Sequence, residues 1–248
     1  MFGDSLSQLA THWNRLARDA KWAVLSAPER KGHRWDDASF WATGHADVTR
    51  VLAECRALGL APSGDALDFG CGVGRLSRAL APHFTRVDGV DISSEMVTLA
   101  REHAPANTTF HANPRADLRL FTSARFDFAL SLMTLQHMPP QLMRAYLFEL
   151  GRVLKPSAIA YFQIPKRPRR RLSRVRLKTH VRRAAFRVPG VQTAWLWRKG
   201  ELPLEMYGLP KAKVLGLLAR AGFELIAAIP DEAAGDDWFS LHYIARRR

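Results

Sequence analysis

The chain has 248 residues, 47% of them hydrophobic, which suffices for one large α/β domain or one domain with an appendage. The formal net charge is +14, yet Lys166 to Arg187 hold eleven bases and no acid, and the rest carries 26 bases against 23 acids. The charge therefore describes one segment and excludes a uniformly basic, nucleic-acid-coating chain.

Residues 5–26 place Leu6, Leu9, Trp13, Leu16, Ala20 and Val24 at helical spacing. The N-terminus lacks the basic start and apolar run of a signal peptide, and no apolar stretch is long enough to span a bilayer, so a soluble cytoplasmic protein is expected. Residues 27–43 contain Pro28, Gly32 and a cluster of Trp35, Asp36, Asp37, Phe40 and Trp41, which read as loop or short turns. The cluster fits core packing of an N-terminal cover or a lid over a site equally well. Helical spacing resumes over 45–58 through Val48, Val51, Leu52 and Cys55, with Gly59 suited to the stop. The two cysteines, Cys55 and Cys71, give no sign of a disulfide framework and are expected as small buried residues.

From Asp65 onward strands and helices alternate. Strands are expected at 65–69, 86–92, 108–113, 126–131 and 157–165, and helices at 73–81, 94–104 and 140–154. Ser93 or Ser94 can cap the second helix, and Pro140 suits the start of the third. Such alternation means parallel strands with crossover helices. A further helix over 210–221 precedes strands at 223–229 and 238–246, whose short connection requires antiparallel pairing.

Chemistry concentrates in DALDFGCGVGRLSR, residues 65–78. An apolar run ends in Asp68 and three glycines at alternate positions, Gly70, Gly72 and Gly74, before a helical pattern begins. Glycine lets a strand turn tightly and bring its backbone close to a ligand, while the first helical turn offers unpaired N–H groups. Asp91 ends the next apolar run, 23 residues after Asp68, where an acid in nucleotide-binding α/β folds accepts hydrogen bonds from ribose hydroxyls. The third glycine comes one residue too early for a dinucleotide fingerprint, and Arg75 stands in its place.

Four blocks, LDFGCGVGRL (67–76), VDGVDISSEMVTLAR (87–101), FDFALSLMTLQHM (126–138) and LGRVLKPSAIAYFQIP (150–165), resemble the class I S-adenosylmethionine-dependent methyltransferases. The block VLGLLARAGFELI (214–226) adds a fifth. The subgroup most similar is the small-molecule one that includes ubiquinone- and menaquinone-biosynthesis enzymes. The resemblance implies a Rossmann-like seven-stranded, mostly parallel sheet with the last strand antiparallel and helices on both faces. It implies S-adenosyl-L-methionine as cofactor, with Asp68, Gly70, Cys71, Gly72 and Gly74 around its methionine part and Asp91 on the ribose. Ile92 and Met96 would pack on the adenine, Asp117 and Leu118 would lie at its edge, and Ser131 and Leu132 near the transferred methyl group. Asn113-Pro114 departs from the pattern where many relatives have an acid.

The organisation read from the chain is an N-terminal cover over 1–44, a methyl-donor-binding core over 45–165, a basic insertion over 166–204, and the rest of the core over 205–248. His137, six residues past the fourth strand, can be a general base for a substrate hydroxyl or a histidine bonded to backbone. Within the insertion, Leu177, Val181, Ala184, Ala185 and Val188 mark an amphipathic basic helix, with Trp195 and Trp197 following. A substrate-side insertion is its first reading. Docking of 166–200 on an anionic lipid surface, hence peripheral membrane location, is second, and nucleic acid ranks last.

The expected function is in-line methyl transfer to a small-molecule or lipid-linked acceptor. The alternatives are an RNA-binding methyltransferase or module, and a catalytically silent membrane-docking protein. SLMT stands after the fourth strand instead of the N/D-P-P-F/Y motif that holds exocyclic amines of bases, which counts against nucleic-acid bases as acceptor. No metal is expected, and oligomeric state, acceptor and methylated atom are not encoded in any motif.

Overall fold

The computed structural model describes residues 3–19, 25, 35–102, 104–168, 206–232, 234–235 and 238–248. Seven strands form one sheet: β1 (Asp65–Phe69), β2 (Arg86–Asp91), β3 (Thr108–Ala112), β4 (Phe126–Ser131), β5 (Leu154–Pro168), β6 (Phe223–Asp231) and β7 (Trp238–Arg247). Their order is β3-β2-β1-β4-β5-β7-β6. The first five pair in parallel, and β7 runs antiparallel to both β5 and β6, as expected from the short β6–β7 connection. All seven strands fall within a few residues of their predicted positions.

Described helices cover both faces, and the period-two pattern of the strands explains why. Leu67, Phe69, Ala129, Phe162, Ile164 and Tyr243 face one cluster that contains the apolar sides of α5 (Pro140–Val153) and α6 (Lys211–Arg220). The alternate residues Ala66, Phe128, Leu130, Tyr161 and Ile244 face the other, with α2 (Asp37–Ala57) and α3 (Arg75–Leu80). Burial of each large side chain on this scale contributes roughly 1.5–3 kcal/mol. The short helix α4 (Ser94–Glu102) follows β2, with Ser93 rather than Ser94 at its start: the Ser93 hydroxyl accepts from Met96 N–H at 3.1 Å.

One boundary differs from expectation. Residues 37–43, read as loop, belong to α2, which runs unbroken through 44 and 45, so the division of cover from core at 44/45 cuts a helix. Asp36 starts the helix by accepting from Ser39 N–H at 2.8 Å. Gly44 sits inside it, where a Cβ would come within 2.5 Å of the Arg75 carbonyl oxygen. Close packing of α2 on α3 is thus written into a helical glycine. The first helix, α1, spans Gly3–Leu16 and gives way to one tight turn at Ala17–Asp19; of the expected helical stretch 5–26, residues 20–24 and 26, with Ala20 and Val24, lie outside the described residues.

The aromatic cluster resolves into packing. Phe40 is fully buried with Trp35 and Trp41 edge-on against it, beside Leu16, Val73 and Met96. Both cysteines are free and buried. No described helix is long and apolar enough to cross a membrane. The amphipathic segment 177–188 and both Trp195 and Trp197 lie outside the described residues.

Candidate functional site

The sheet reverses its winding between β1 and β4: the chain moves outward through β2 and β3, then returns to the other side of β1. A cleft at the carboxyl ends of such strands is where open α/β sheets bind ligands. Here it encloses about 900 Å³ of empty space, open mouth included.

One wall is backbone. After Phe69 the chain turns through Gly70 (φ 82°) and Gly72 (φ 51°), and Gly74 (φ 82°) precedes α3. The N–H groups of Gly70 and Cys71 both donate to the Val90 carbonyl, at 2.8 and 3.1 Å, which clamps the turn to β2. A Cβ on Gly70 would overlap the Thr134 side chain, so the position is closed to other residues by both φ and space.

Asp91, at the tip of β2, is bound to that turn. Its Oδ2 accepts from Gly72 N–H at 2.9 Å and its Oδ1 from Ser93 N–H at 2.8 Å. Burial raises its pKa, and these backbone donors oppose the rise. Each carboxylate oxygen keeps acceptor capacity for a further hydroxyl. Ile92, Met96 and Asn113 continue this wall.

The opposite wall comes from β4's end and from helices distant in sequence. Leu132, Met133 and Thr134 follow β4, then a tight turn over Leu135–His137 presents His137 and Met138. Met133 has φ 56°, a conformation that strains a residue with a Cβ. α5 adds Leu142 and Tyr146, whose hydroxyl donates to the Arg115 carbonyl at 2.6 Å and whose ring packs 4.6 Å from Phe69. From α1 come Leu6, Leu9 and Trp13. Trp13 meets the His137 ring edge-on at 5.5 Å, and Asn14 accepts from the Ser93 hydroxyl at 2.6 Å. The cover is therefore tied to both walls.

Of the residues singled out from sequence, Gly70, Cys71, Gly72, Asp91, Ile92, Met96, Leu132 and His137 meet around the cleft. Five stand off its wall. Asp68 is buried beneath the turn, where it accepts from the Ser77 hydroxyl at 2.6 Å; its Oδ1 has no hydrogen-bond partner among the described residues. Burial lifts the Asp68 pKa to about 6, against the opposing pull of Ser77 and Arg75. Gly74 packs against Phe110. Ser131 is buried and donates to the Phe69 carbonyl at 3.0 Å, joining β4 to β1. Leu118 is fully buried in the core and its N–H donates to Glu149 at 2.7 Å. Asp117 pairs with Arg119 at 3.7 Å, and its carbonyl accepts from the Asn113 amide at 2.6 Å. Asn113 itself lines the cleft. Cys71 lines the cleft with its thiol pKa raised well above normal by burial, which leaves it a poor nucleophile.

Sequence reasoning missed Trp13, Asn113, Met133, Thr134 and Tyr146. The apolar face of α1 was visible as a periodicity, but which cavity it would close was not.

The fold is one shared with solved methyltransferases. Residues 66–157 match the family model described as methyltransferase domain. The chain is similar to ubiquinone biosynthesis O-methyltransferase of Coxiella burnetii, 34% identical over 39% of this chain and 41% of the relative. It is similar also to 2-methyl-6-phytyl-1,4-hydroquinone methyltransferase of a Synechocystis strain, 35% identical over 46% of this chain and 36% of the relative. The chain thus spans about two fifths of the length of the curated relatives it matches. Among solved structures, magnesium protoporphyrin IX methyltransferase from Synechocystis, with bound SAH, aligns over 98% of this chain and 99% of its own at TM-score 0.65 and 20% identity. That likeness concerns the fold.

Proposed function

We propose that this protein transfers a methyl group from S-adenosylmethionine to the hydroxyl of a small, largely apolar acceptor of the phenol or hydroquinone class. The observation that carries the reading is the Asp91 carboxylate held 2.9 Å from the Gly72 N–H, at the switch point of the sheet, facing a wall that carries His137. The residues present fit an adenosyl group. Asp91 keeps lone pairs for the two ribose hydroxyls, Ile92 and Met96 offer apolar surface for a base, and the glycine turn leaves room for a main chain to approach.

When bound, the cofactor supplies a methyl group on a sulfonium, electrophilic enough that the protein mainly aligns partners and excludes water. Leu6, Leu9, Trp13, Met133, Met138 and Leu142 make the acceptor side apolar, which favours a hydrophobic ring over a charged substrate. His137 is the cleft group suited to take the hydroxyl proton as oxygen gains its bond to carbon. The name of the ubiquinone biosynthesis O-methyltransferase supports oxygen as the nucleophile, and that of the hydroquinone methyltransferase supports a quinol-like ring.

The insertion fits a substrate-side role. Two contacts beside it support this: Tyr207 N–H donates at 2.7 Å to the carbonyl of Gln136, the neighbour of His137, and Leu209 N–H donates to the Pro165 carbonyl at 2.9 Å.

The test is turnover of the methyl donor with a panel of substituted catechols and hydroquinones. The protein is expected to methylate at least one, and His137→Gln to lower kcat by roughly 10²–10⁴-fold while leaving donor affinity within about threefold. Donor binding with no turnover across phenols, but turnover of an amine or thiol, would overturn the acceptor class.

A further inference from the structure

A buried chain of amides ends on the ring of His137. Its first link is a backbone N–H, which can only donate: Met133 N–H lies 3.0 Å from Gln163 Oε1. That bond fixes which end of the Gln163 amide is oxygen, an assignment that geometry alone often leaves open. The Gln163 nitrogen must then be the donor in its other two bonds, to Ser240 Oγ at 2.8 Å and to Gln136 Oε1 at 3.1 Å. Gln136 accepts on its oxygen, so its nitrogen is the end that meets His137 Nε2, at 3.1 Å. An amide nitrogen has no lone pair to offer. His137 Nε2 must therefore accept, and the ring proton of the neutral imidazole must sit on Nδ1.

Every member of this chain is secured by the fold. Gln163 is fully buried on β5, Ser240 is buried on β7, and Gln136 is buried in the turn after β4. Gln163 thereby also holds the strained Met133, the residue that precedes Thr134 on the acceptor wall. Two strands and the post-β4 turn thus converge to specify one tautomer of one histidine.

We propose that Gln136 and Gln163 are positioning residues that hold His137 neutral at rest, with its one lone pair on Nε2 and its proton on Nδ1. Protonation of Nε2 would set an N–H against the Gln136 N–H. Turning the Gln136 amide to relieve this would set its nitrogen against the Gln163 nitrogen. The chain accordingly opposes a resting imidazolium, and Nε2 can take an acceptor's proton only as the Gln136 N–H withdraws from that lone pair. Among the described residues, the other titratable groups sharing the cleft with His137 are Asp91 at the tip of β2, Arg75 at the start of α3, Cys71 on the glycine turn and Tyr146 on α5. His12 lies beyond Trp13 on α1, with ring centroids 6.2 Å apart. The catalytic consequence rests on the base reading of His137 given above; the tautomer does not.

The test is long-range ¹H–¹⁵N NMR of full-length protein labelled at histidine nitrogen, with His137 assigned by comparison with His137→Gln. The wild type is expected to show a neutral ring protonated at Nδ1 at pH 7. Gln136→Glu, nearly the same size, supplies an acceptor in place of the donor. It is expected to move the proton to Nε2 and to raise the midpoint of His137 titration by roughly one unit or more. Gln163→Leu frees the Gln136 amide to turn and should give a mixture of tautomers. An Nε2-protonated or cationic His137 in the wild type at pH 7 would overturn the assignment without recourse to any variant. So would a Gln136→Glu protein with the wild-type tautomer. If the tautomer is as stated but His137→Gln keeps full turnover, the positioning chain stands and the base reading falls.

Discussion

The two sides of the cleft are built in different ways. The donor side comes from main chain and from residues placed immediately after two neighbouring strands: the turn at 70–72, then Asp91, Ile92 and Met96. Everything there follows from strand-end positions in adjacent elements, and its polar contacts are backbone N–H groups on a carboxylate. The acceptor side is assembled from α1, the turn after β4 and α5, whose contributing residues lie more than a hundred positions apart along the chain. A ligand common to many proteins can be held by main-chain geometry, which tolerates side-chain change. A particular acceptor needs side chains, and these can be drawn from any element that reaches the cavity.

That contrast predicts separable defects. Asp91→Ala should produce the largest, weakening donor binding by about 10²–10³-fold in calorimetric titration, because charge-assisted bonds to two hydroxyls are lost. Since burial raises the Asp91 pKa, donor affinity should already decline as pH falls through mildly acidic values, above the range where an ordinary aspartate protonates. A donor affinity flat down to pH 4 would count against the carboxylate's role.

Gly70→Ala places a methyl group at φ 82° and into Thr134, so it joins the two sides by a clash. The expected cost is about 2–4 kcal/mol in chemical denaturation, with donor binding lost as well. A protein of unchanged stability would mean that the Thr134 turn moves freely, and the two walls would then be independent.

Asp68 separates support from binding on the donor side. Its folded-state pKa of about 6 lies above the ordinary carboxylate value, so the folded state holds the proton more tightly. The stability this brings is complete at pH 4 and lost as pH rises through 6. Two units correspond to roughly 3 kcal/mol. Asp68→Asn should therefore gain thermal stability relative to wild type between pH 5 and pH 7.5, and a difference independent of pH would contradict the assignment.

The smallest effect belongs to the cover. Trp13→Ala removes the edge contact with His137. It should raise the KM for an apolar acceptor by about tenfold, as expected for loss of a buried aromatic contact, while donor affinity stays within twofold to threefold. A donor defect of equal size would show that α1 serves both ends alike.

Much of the architecture was legible because it rests on local rules. Strand–helix alternation gave the parallel sheet, and the short link after Asp231 gave the antiparallel β7. The paired signals of the glycine turn and Asp91 located the donor side, since strand-end geometry brings them together in any fold of this topology. The start of α2 was hidden because the cluster at Trp35–Trp41 read as turns, whereas Asp36 starts the helix there and Gly44 stays inside it against the Arg75 carbonyl on another helix. The resemblance placed Asp117 and Leu118 at the adenine edge; the Asn113 amide donates to the Asp117 carbonyl, and Asn113 rather than either of them lines the cleft.

The sequence alone determined the sheet, its crossover connections and the acid that faces the glycine turn, because each depends on residues near one another or on a fixed strand period. Tertiary structure alone decided which helix closes the cleft, which side chains form the acceptor wall and which nitrogen of His137 carries the proton. Those outcomes depend on Met133, Gln136, Gln163 and Ser240 meeting across β5, β7 and a turn. Hydrogen bonds between such distant positions leave no period or spacing in the chain, so only packing can reveal them.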